Sequence, residues 1–239
     1  NKGVKIMLQS ITSIVRWFLF LPAFIIGMTL MIIASFFKIE WLYLLSRPIC
    51  RLLAFCVGAK IKVEGEFPVN GKFVIMSNHS SFFDPFIYPF FMKGKFTGVV
   101  ADYNLKYPFW KQFLNRVNAI PVNRKNRKKA IESIKKAEEV LKSGYNIAIL
   151  PEGTRTLTGK LGKLKKGGFH LAMNTKASII PVGIKGAFKL KPKTTWKLTP
   201  CEINVKVGEP IPYSNYESLG IDGILNKIEQ ELKILSGEI

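Results

Sequence analysis

Beyond about residue 60, short apolar segments alternate with segments whose apolar residues recur at helical spacing. Seven apolar segments have the length of strands, at 60–64, 72–77, 96–101, 118–122, 146–150, 178–184 and 202–207. Five others have helical patterns or starts, at 85–92, 107–116, 125–142, 168–175 and 222–236. Strands that alternate with helices are typical of a mostly parallel sheet with helices on both faces. We therefore predict one α/β domain over residues 60–239.

The first third of the chain has a different pattern, because no charged residue occurs from Trp17 to Phe37. This run is long enough to cross a bilayer. Pro22 and Gly27 interrupt it, however, and basic residues flank it on both sides. The positive-inside rule then favours the cytoplasm for both flanks, which argues against a simple span. We predict that residues 1–59 form a membrane-anchoring helix pair that dips into one leaflet and returns.

This interpretation assigns membrane contacts to five side chains. Trp17, Phe18 and Phe20 would contact lipid, whereas Arg47 and Arg51, one helical turn apart, would contact phosphate headgroups. The protein is then expected at the cytoplasmic face of the cell inner membrane, as a monotopic protein in preference to a single-span one. Two alternatives remain open, which are an ordinary single-span anchor and a pair of buried helices in a soluble core.

Composition adds a second constraint, since 36 Lys and Arg residues stand against 16 acidic ones, for a formal charge of +20. Such a charge favours a polyanionic partner, which can be nucleic acid, an anionic membrane or an acidic carrier protein. The aromatic residues lie mainly in apolar runs and not among the lysines, which argues against nucleic acid. The three cysteines, Cys50, Cys56 and Cys201, form no close metal-ligand pair. We expect reduced thiols, no metal and no cofactor.

The strongest candidate for chemistry is the pair His79 and Asp84. The buried-strand pattern of residues 72–77 precedes His79, and a helix start with Asp84 at its N-cap and Pro85 after it follows. A turn between the two residues lets the carboxylate reach the imidazole, which a continuous helix would not allow. A carboxylate on one ring nitrogen leaves the other free to take a proton from a substrate hydroxyl. The pattern thus indicates a general base.

Three further segments accompany this pair in a fixed order. Residues 118–124 end in Arg124, residues 151–155 read Pro-Glu-Gly-Thr-Arg after another buried strand, and residues 179–184 are an apolar strand with a proline. Together with residues 78–84, they resemble the four ordered blocks of the glycerolipid acyltransferase family. The resemblance runs from about Val63 to Val207, and four blocks in order are far more specific than one.

The resemblance implies a function and further site residues. It implies transfer of a fatty acyl group from an acyl carrier protein or coenzyme A thioester to the sn-2 hydroxyl of lysophosphatidate, which gives phosphatidate. It also implies that Glu152 holds Arg155 or a substrate hydroxyl. The residues that it assigns to the substrate phosphate are Arg124, Glu152, Gly153, Thr154 and Arg155. Two alternatives stay open, which are another acceptor, such as glycerol 3-phosphate or a lysophospholipid, and a non-enzymatic basic protein of the membrane surface.

Overall fold

The computed structural model describes residues 2–123 and 127–239, which form a sheet covered by helices on both faces. The strands are β1 (Ala59–Glu64), β2 (Phe73–Ser77), β3 (Phe96–Ala101), β4 (Ile120–Val122), β5 (Asn146–Ile149), β6 (Ser178–Lys185) and β7 (Cys201–Val207). Their order across the sheet is β1-β7-β6-β2-β5-β3-β4, and every neighbouring pair except β6 and β7 is parallel. The predicted mostly parallel α/β fold is confirmed.

The helices divide between the two faces of the sheet. They are α1 (Lys2–Phe37), α2 (Ile39–Val57), α3 (Pro108–Arg116), α4 (Arg127–Lys142), α5 (Gly167–Thr175), α6 (Ala187–Leu190) and α7 (Gly220–Ser236). Buried side chains of α4, α5 and α7 pack on one face, among them Leu141, Phe169 and Ile228. Those of α1, α2 and α6 pack on the other face. The two N-terminal helices therefore cover one face of the sheet.

Helix α1 is continuous through Pro22 and Gly27, where an interruption was predicted. Two helices are present, as predicted, and the first is unbroken. Gly27 lies where the helices approach each other, because a Cβ atom there would come within 2.6 Å of Ile49 Cγ2. Helix α2 returns along α1 and ends at Val57. Gly58 follows it with a φ of 77°, in the left-handed region that glycine adopts at low cost.

The prediction of a helix over residues 85–92 is wrong. This segment forms two short 3₁₀ turns, Asp84–Phe86 and Tyr88–Phe90. Pro89 has no backbone N–H to donate to the carbonyl four residues earlier, and the residue before a proline is disfavoured in the helical conformation. The chain after Asp84 therefore folds into a compact turn and does not leave the sheet edge as a helix.

Candidate active site

His79 lies just beyond the carboxyl end of β2, at the edge where ligands of parallel α/β sheets bind. All five residues of β2 are buried, so its position is fixed by the core. The side chain of Asn78 then bonds the backbone of β6, donating to Ile184 O at 2.8 Å and accepting from Ile184 N at 2.7 Å. This side chain replaces one step of strand pairing. The main chain is consequently free to turn away from the sheet at His79.

The carboxylate of Asp84 organises the turn that carries His79. Its Oδ2 atom accepts hydrogen bonds from His79 Nδ1 at 2.8 Å, Ser80 N at 2.8 Å and Ser81 N at 2.9 Å. Asp84 is fully buried, whereas the His79 side chain keeps 19% of its surface exposed. Because an ionised carboxylate only accepts, Nδ1 carries the proton.

The second ring nitrogen of His79 is therefore the proton acceptor. Nε2 forms no hydrogen bond with any group in residues 2–123 or 127–239. A neutral imidazole in this tautomer can accept a proton from a hydroxyl group, and Asp84 stabilises the resulting imidazolium. The arrangement predicted from the His79–Asp84 spacing is thus chemically competent for general-base catalysis.

Glu152 has contacts that differ from those inferred by resemblance. Its Oε1 accepts from His79 N at 2.6 Å and its Oε2 accepts from Gly162 N at 2.7 Å, so neither oxygen holds Arg155. Only 4% of this residue is exposed. Burial raises the pKa of Glu152, and the two amide donors act in the opposite direction. Glu152 therefore fixes the backbone at the start of the turn of residues 79–86, which we call the catalytic turn. Its expected contact with Arg155 is corrected.

The remaining residues of the predicted phosphate site are only partly assembled in the described structure. Gly153 adopts a φ of 71°, and its N–H bonds Leu150 O at 2.9 Å within the turn after β5. Thr154 is exposed and Arg155 is half-buried. The next residue, Thr156, donates its N–H to His79 O at 2.9 Å, which joins this turn to the catalytic turn. Arg124 lies outside the described residues.

An apolar cavity of about 180 Å³ begins beside the catalytic turn. Pro85 and Phe86, which follow Asp84 directly, form part of its wall, and α1, α2, α3 and β3 supply most of the rest. Gly98 of β3 lines the cavity at the sheet, which we call the cavity floor, and its lack of a side chain leaves space there. A Cβ atom added at Gly98 would have no neighbour nearer than Ala148 O, at 3.7 Å. These two small residues are register partners on β3 and β5. No sequence motif identified this cavity, because it arises from packing between distant segments.

Helix α1 packs directly against the catalytic turn through aromatic rings. Phe20 is 3% exposed, and its ring lies 5.8 Å from Phe82 and 6.0 Å from Phe86. The prediction that Phe20 contacts lipid is therefore wrong, because its side chain is buried against Phe82 and Phe86 of the catalytic turn. Trp17 is half-buried against Phe82, with ring centroids 5.4 Å apart. In contrast, Phe18 is 77% exposed on the opposite face of α1.

The outer surface of the N-terminal helices is apolar over most of its length. Helix α1 is long and apolar enough to cross a membrane. Its exposed large apolar side chains include Leu8, Ile11, Val15, Phe18, Leu21, Ile25, Leu30, Ile33, Phe36 and Phe37. Arg47 and Arg51 of α2 are both exposed. A large exposed apolar surface of this kind marks an interaction site for lipid or protein.

The described residues contain no cluster of three His, Cys, Asp or Glu side chains that could hold a metal ion. The chemistry of the site is defined by a histidine–carboxylate pair at the carboxyl edge of a mostly parallel sheet. A pair of this kind at that edge of an α/β sheet can act as a general base toward a substrate hydroxyl.

Comparison with known proteins then identifies the family. The acyltransferase family model matches residues 60–185, so the chain belongs to the acyltransferase family. It is 31% identical over 179 residues to a 1-acyl-sn-glycerol-3-phosphate acyltransferase of Cocos nucifera, which covers 74% of this chain and 58% of that protein. A protein of the same name from Pseudomonas aeruginosa is 32% identical over 156 residues, 63% of this chain and 59% of the relative. The chain thus spans about three fifths of the length of these relatives.

The fold agrees with a solved structure. The 1-acyl-sn-glycerophosphate (LPA) acyltransferase PlsC from Thermotoga maritima superposes with a TM-score of 0.82, over 96% of this chain and 97% of that chain. The two sequences are 22% identical. This similarity supports the whole architecture, including the N-terminal helices that pack on the sheet.

Proposed function

We propose that this protein transfers a fatty acyl group from a thioester donor to the sn-2 hydroxyl of lysophosphatidate, which yields phosphatidate. The observation that carries the proposal is the His79–Asp84 hydrogen bond of 2.8 Å at the carboxyl edge of the sheet. The relatives are named as 1-acyl-sn-glycerol-3-phosphate acyltransferases, which supports lysophosphatidate as the acceptor.

In the proposed mechanism, His79 acts as the general base. Nε2 takes the proton of the acceptor hydroxyl while the oxygen attacks the thioester carbonyl, and Asp84 stabilises the imidazolium. The new C–O bond forms, the C–S bond breaks, and the imidazolium returns its proton to the departing thiolate. A thiolate is a good leaving group, so no covalent acyl-enzyme is needed. Ser80 and Ser81 serve as turn residues, since their backbone N–H groups hold Asp84.

The substrates are proposed to meet at the catalytic turn from two directions. The apolar cavity beside Pro85 and Phe86 suits the acyl chain of the donor, because its wall is apolar and begins next to Asp84. Arg124, Gly153, Thr154 and Arg155 are proposed for the acceptor phosphate, to which a guanidinium offers forked donors. The donor is an acyl carrier protein or coenzyme A thioester.

We also propose that residues 1–59 anchor the enzyme in one membrane leaflet and that residues 60–239 form the acyltransferase domain. The exposed apolar face of α1 supports the anchor, with Trp17 and Phe18 at lipid and Arg47 and Arg51 at anionic headgroups. The catalytic domain would then lie at the cytoplasmic face of the inner membrane. This position suits an acceptor and a product that both reside in the bilayer.

The direct test is thiol release from acyl-coenzyme A and from acyl carrier protein thioester, with and without lysophosphatidate in mixed micelles. We expect release that requires lysophosphatidate and produces phosphatidate, and His79→Ala should lower turnover about 10²- to 10⁴-fold. A panel with glycerol 3-phosphate and a lysophospholipid tests the alternative acceptors. Preference for either over lysophosphatidate would contradict the proposed acceptor. Absence of any acceptor-dependent release would contradict acyl transfer itself.

A further inference from the structure

The loop of residues 191–200 connects the candidate site with helix α1. At one end, Ser81 of the catalytic turn donates its Oγ hydrogen to Lys191 O at 3.1 Å. Farther along, Trp17 Nε1 of α1 donates to Trp196 O at 2.9 Å. These bonds hold the loop between the catalytic turn and the helix whose outer face is exposed and apolar. Groups on the loop are therefore placed where a lipid headgroup would approach His79.

Three cationic side chains lie along this edge of the site. Lys193 Nζ donates to Thr154 Oγ1 at 3.4 Å, which brings the loop beside the turn that carries Arg155. Burial, and then the positive charge of Arg155, lower the pKa of Lys191, so these two cations lie near each other. None of the ion pairs formed within residues 2–123 and 127–239 includes Lys191, Lys193 or Arg155.

Adjacent like charges without a carboxylate partner destabilise one another, and a bound dianion reverses that effect. A phosphate monoester offers several acceptor oxygens, which suits one forked guanidinium and two point-charge ammonium groups. Lys191 and Lys193 lie far from Arg155 in the sequence and outside the four blocks, so no motif identified them. Their convergence is a property of the folded chain.

We propose that Lys191 and Lys193 bind, together with Arg155, the phosphate monoester of a membrane-borne acceptor lipid. The inference rests on the proposed function, because it assigns further binding residues to the same site. The hydrogen bond from Trp17 to the loop favours a phosphate that arrives from the membrane side. The other source of the same chemistry is the set of phosphate groups of coenzyme A.

The test uses the variants Lys191→Gln, Lys193→Gln and Lys191→Arg. Lys142→Gln is the control, because Lys142 is an exposed lysine at the opposite edge of the sheet, before β5. Lysophosphatidate affinity is measured in detergent micelles with each change placed in a His79→Ala background, so that binding is read without turnover. Lys191→Gln should raise the dissociation constant about tenfold to a hundredfold, and Lys193→Gln less, since Lys193 is more exposed. Lys191→Arg should restore most of the affinity, and the control should match the parent.

A second measurement separates the two phosphate sources in the enzyme with His79 intact. The ratio of kcat/KM for lysophosphatidate to that for monoacylglycerol should fall about tenfold or more in Lys191→Gln. The ratio of the KM for acyl-coenzyme A to the KM for an acyl thioester of N-acetylcysteamine, which has no phosphate groups, should equal the wild-type ratio. A changed donor ratio with unchanged lysophosphatidate affinity would assign the lysines to coenzyme A and overturn the proposal.

The remaining outcomes separate this inference from the proposed function. Unchanged lysophosphatidate affinity in both glutamine variants, with melting temperatures like that of the parent, would overturn the inference and leave acyl transfer intact. Affinity that depends on Lys191 in a protein that transfers no acyl group would support the phosphate site and contradict the proposed function. Failure of Lys191→Arg to restore affinity would contradict a role for the positive charge.

Discussion

The turn that holds His79 has a polar side and an apolar side, and the two are stabilised by different interactions. On the polar side, the buried carboxylates of Asp84 and Glu152 accept hydrogen bonds from His79 and from backbone N–H groups. On the apolar side, Phe82 and Phe86 pack against Phe20 of α1, and the cavity opens behind them.

This difference indicates which property each side controls. Hydrogen bonds to a buried carboxylate depend on the identity of single atoms. One substitution on the polar side therefore moves the His79 ring or changes which ring nitrogen carries the proton. Apolar packing depends on volume and shape, and it tolerates changes that leave the space filled. Changes on the polar side should therefore reduce turnover, whereas changes on the apolar side should alter acyl-chain choice, stability or membrane binding.

The largest effect is expected for Asp84→Asn on the polar side. Because Oδ2 accepts from His79, Ser80 and Ser81, an amide that keeps its oxygen there leaves the imidazolium without a carboxylate charge. An amide that turns its nitrogen there faces the two backbone N–H groups and moves the ring proton to Nε2. Turnover should fall about 10²- to 10⁴-fold. Asp222→Asn is the matched control, because Asp222 is exposed in a surface ion pair with Lys166. Wild-type turnover in Asp84→Asn, measured as phosphatidate formed, would remove Asp84 from the mechanism.

Glu152→Gln should have the next largest effect. The new amide nitrogen faces either the N–H of His79 or that of Gly162, so one hydrogen bond is replaced by a contact between two donors. We expect the free energy of unfolding to fall by about 1–3 kcal/mol. A shifted catalytic turn should lower kcat about tenfold to a hundredfold. Chemical denaturation and steady-state kinetics check both values, with the exposed Glu209→Gln as control. A variant with unchanged stability and kcat would show that this carboxylate is dispensable.

On the apolar side, Gly98→Leu should change acyl-chain preference and leave the His79–Asp84 pair intact. The added side chain occupies the cavity floor, where a Cβ atom meets no close neighbour. Loss of room for one or two methylene groups, at about 0.8 kcal/mol each, should lower the hexadecanoyl-to-dodecanoyl ratio of kcat/KM about tenfold. Gly98→Ala should shift the ratio less. An unchanged ratio would place the donor chain elsewhere.

The smallest effect on catalysis is expected at Phe18, in contrast to its neighbour Phe20. Phe18→Ala removes an exposed ring and should change the free energy of unfolding by no more than about 0.5 kcal/mol. Partition of the Phe18→Ala protein into anionic vesicles should weaken about two- to tenfold, since less apolar surface is buried in lipid. Phe20→Ala leaves a buried cavity and should cost about 3–5 kcal/mol of stability. Equal effects of the two changes would contradict the separation of the two faces of α1.

The polar side was partly predictable from the sequence. The spacing of His79 and Asp84 predicted their contact, because a strand before them and a turn between them restrict the geometry. The partners of Glu152 were not predictable, since every residue except proline carries the backbone N–H that such a carboxylate binds. A proline at the start of a segment suits a helix as well as a 3₁₀ turn, so Pro85 alone predicts the wrong structure after Asp84. Pro89, which lacks a backbone N–H, is the residue that disfavours the helix.

The apolar side was much harder to predict. From Trp17 to Phe37, α1 is apolar around most of its circumference, so periodicity cannot separate the buried Phe20 from the exposed Phe18. The role of Gly98 likewise depends on the helices that pack above it. The alternation of strands and helices beyond residue 60, in contrast, predicted all seven strands within about two residues of their observed ends.

The most direct test of direct transfer with His79 as the base is a single-turnover experiment on the wild-type protein. Enzyme in excess is mixed with acyl thioester, first without and then with lysophosphatidate, and free thiol and protein mass are followed. The mechanism predicts no rapid thiol release and no acylated protein before the acceptor is added, and then thiol and phosphatidate formed at the same rate. A burst of thiol with an acyl group attached to the protein, in the absence of acceptor, would contradict it.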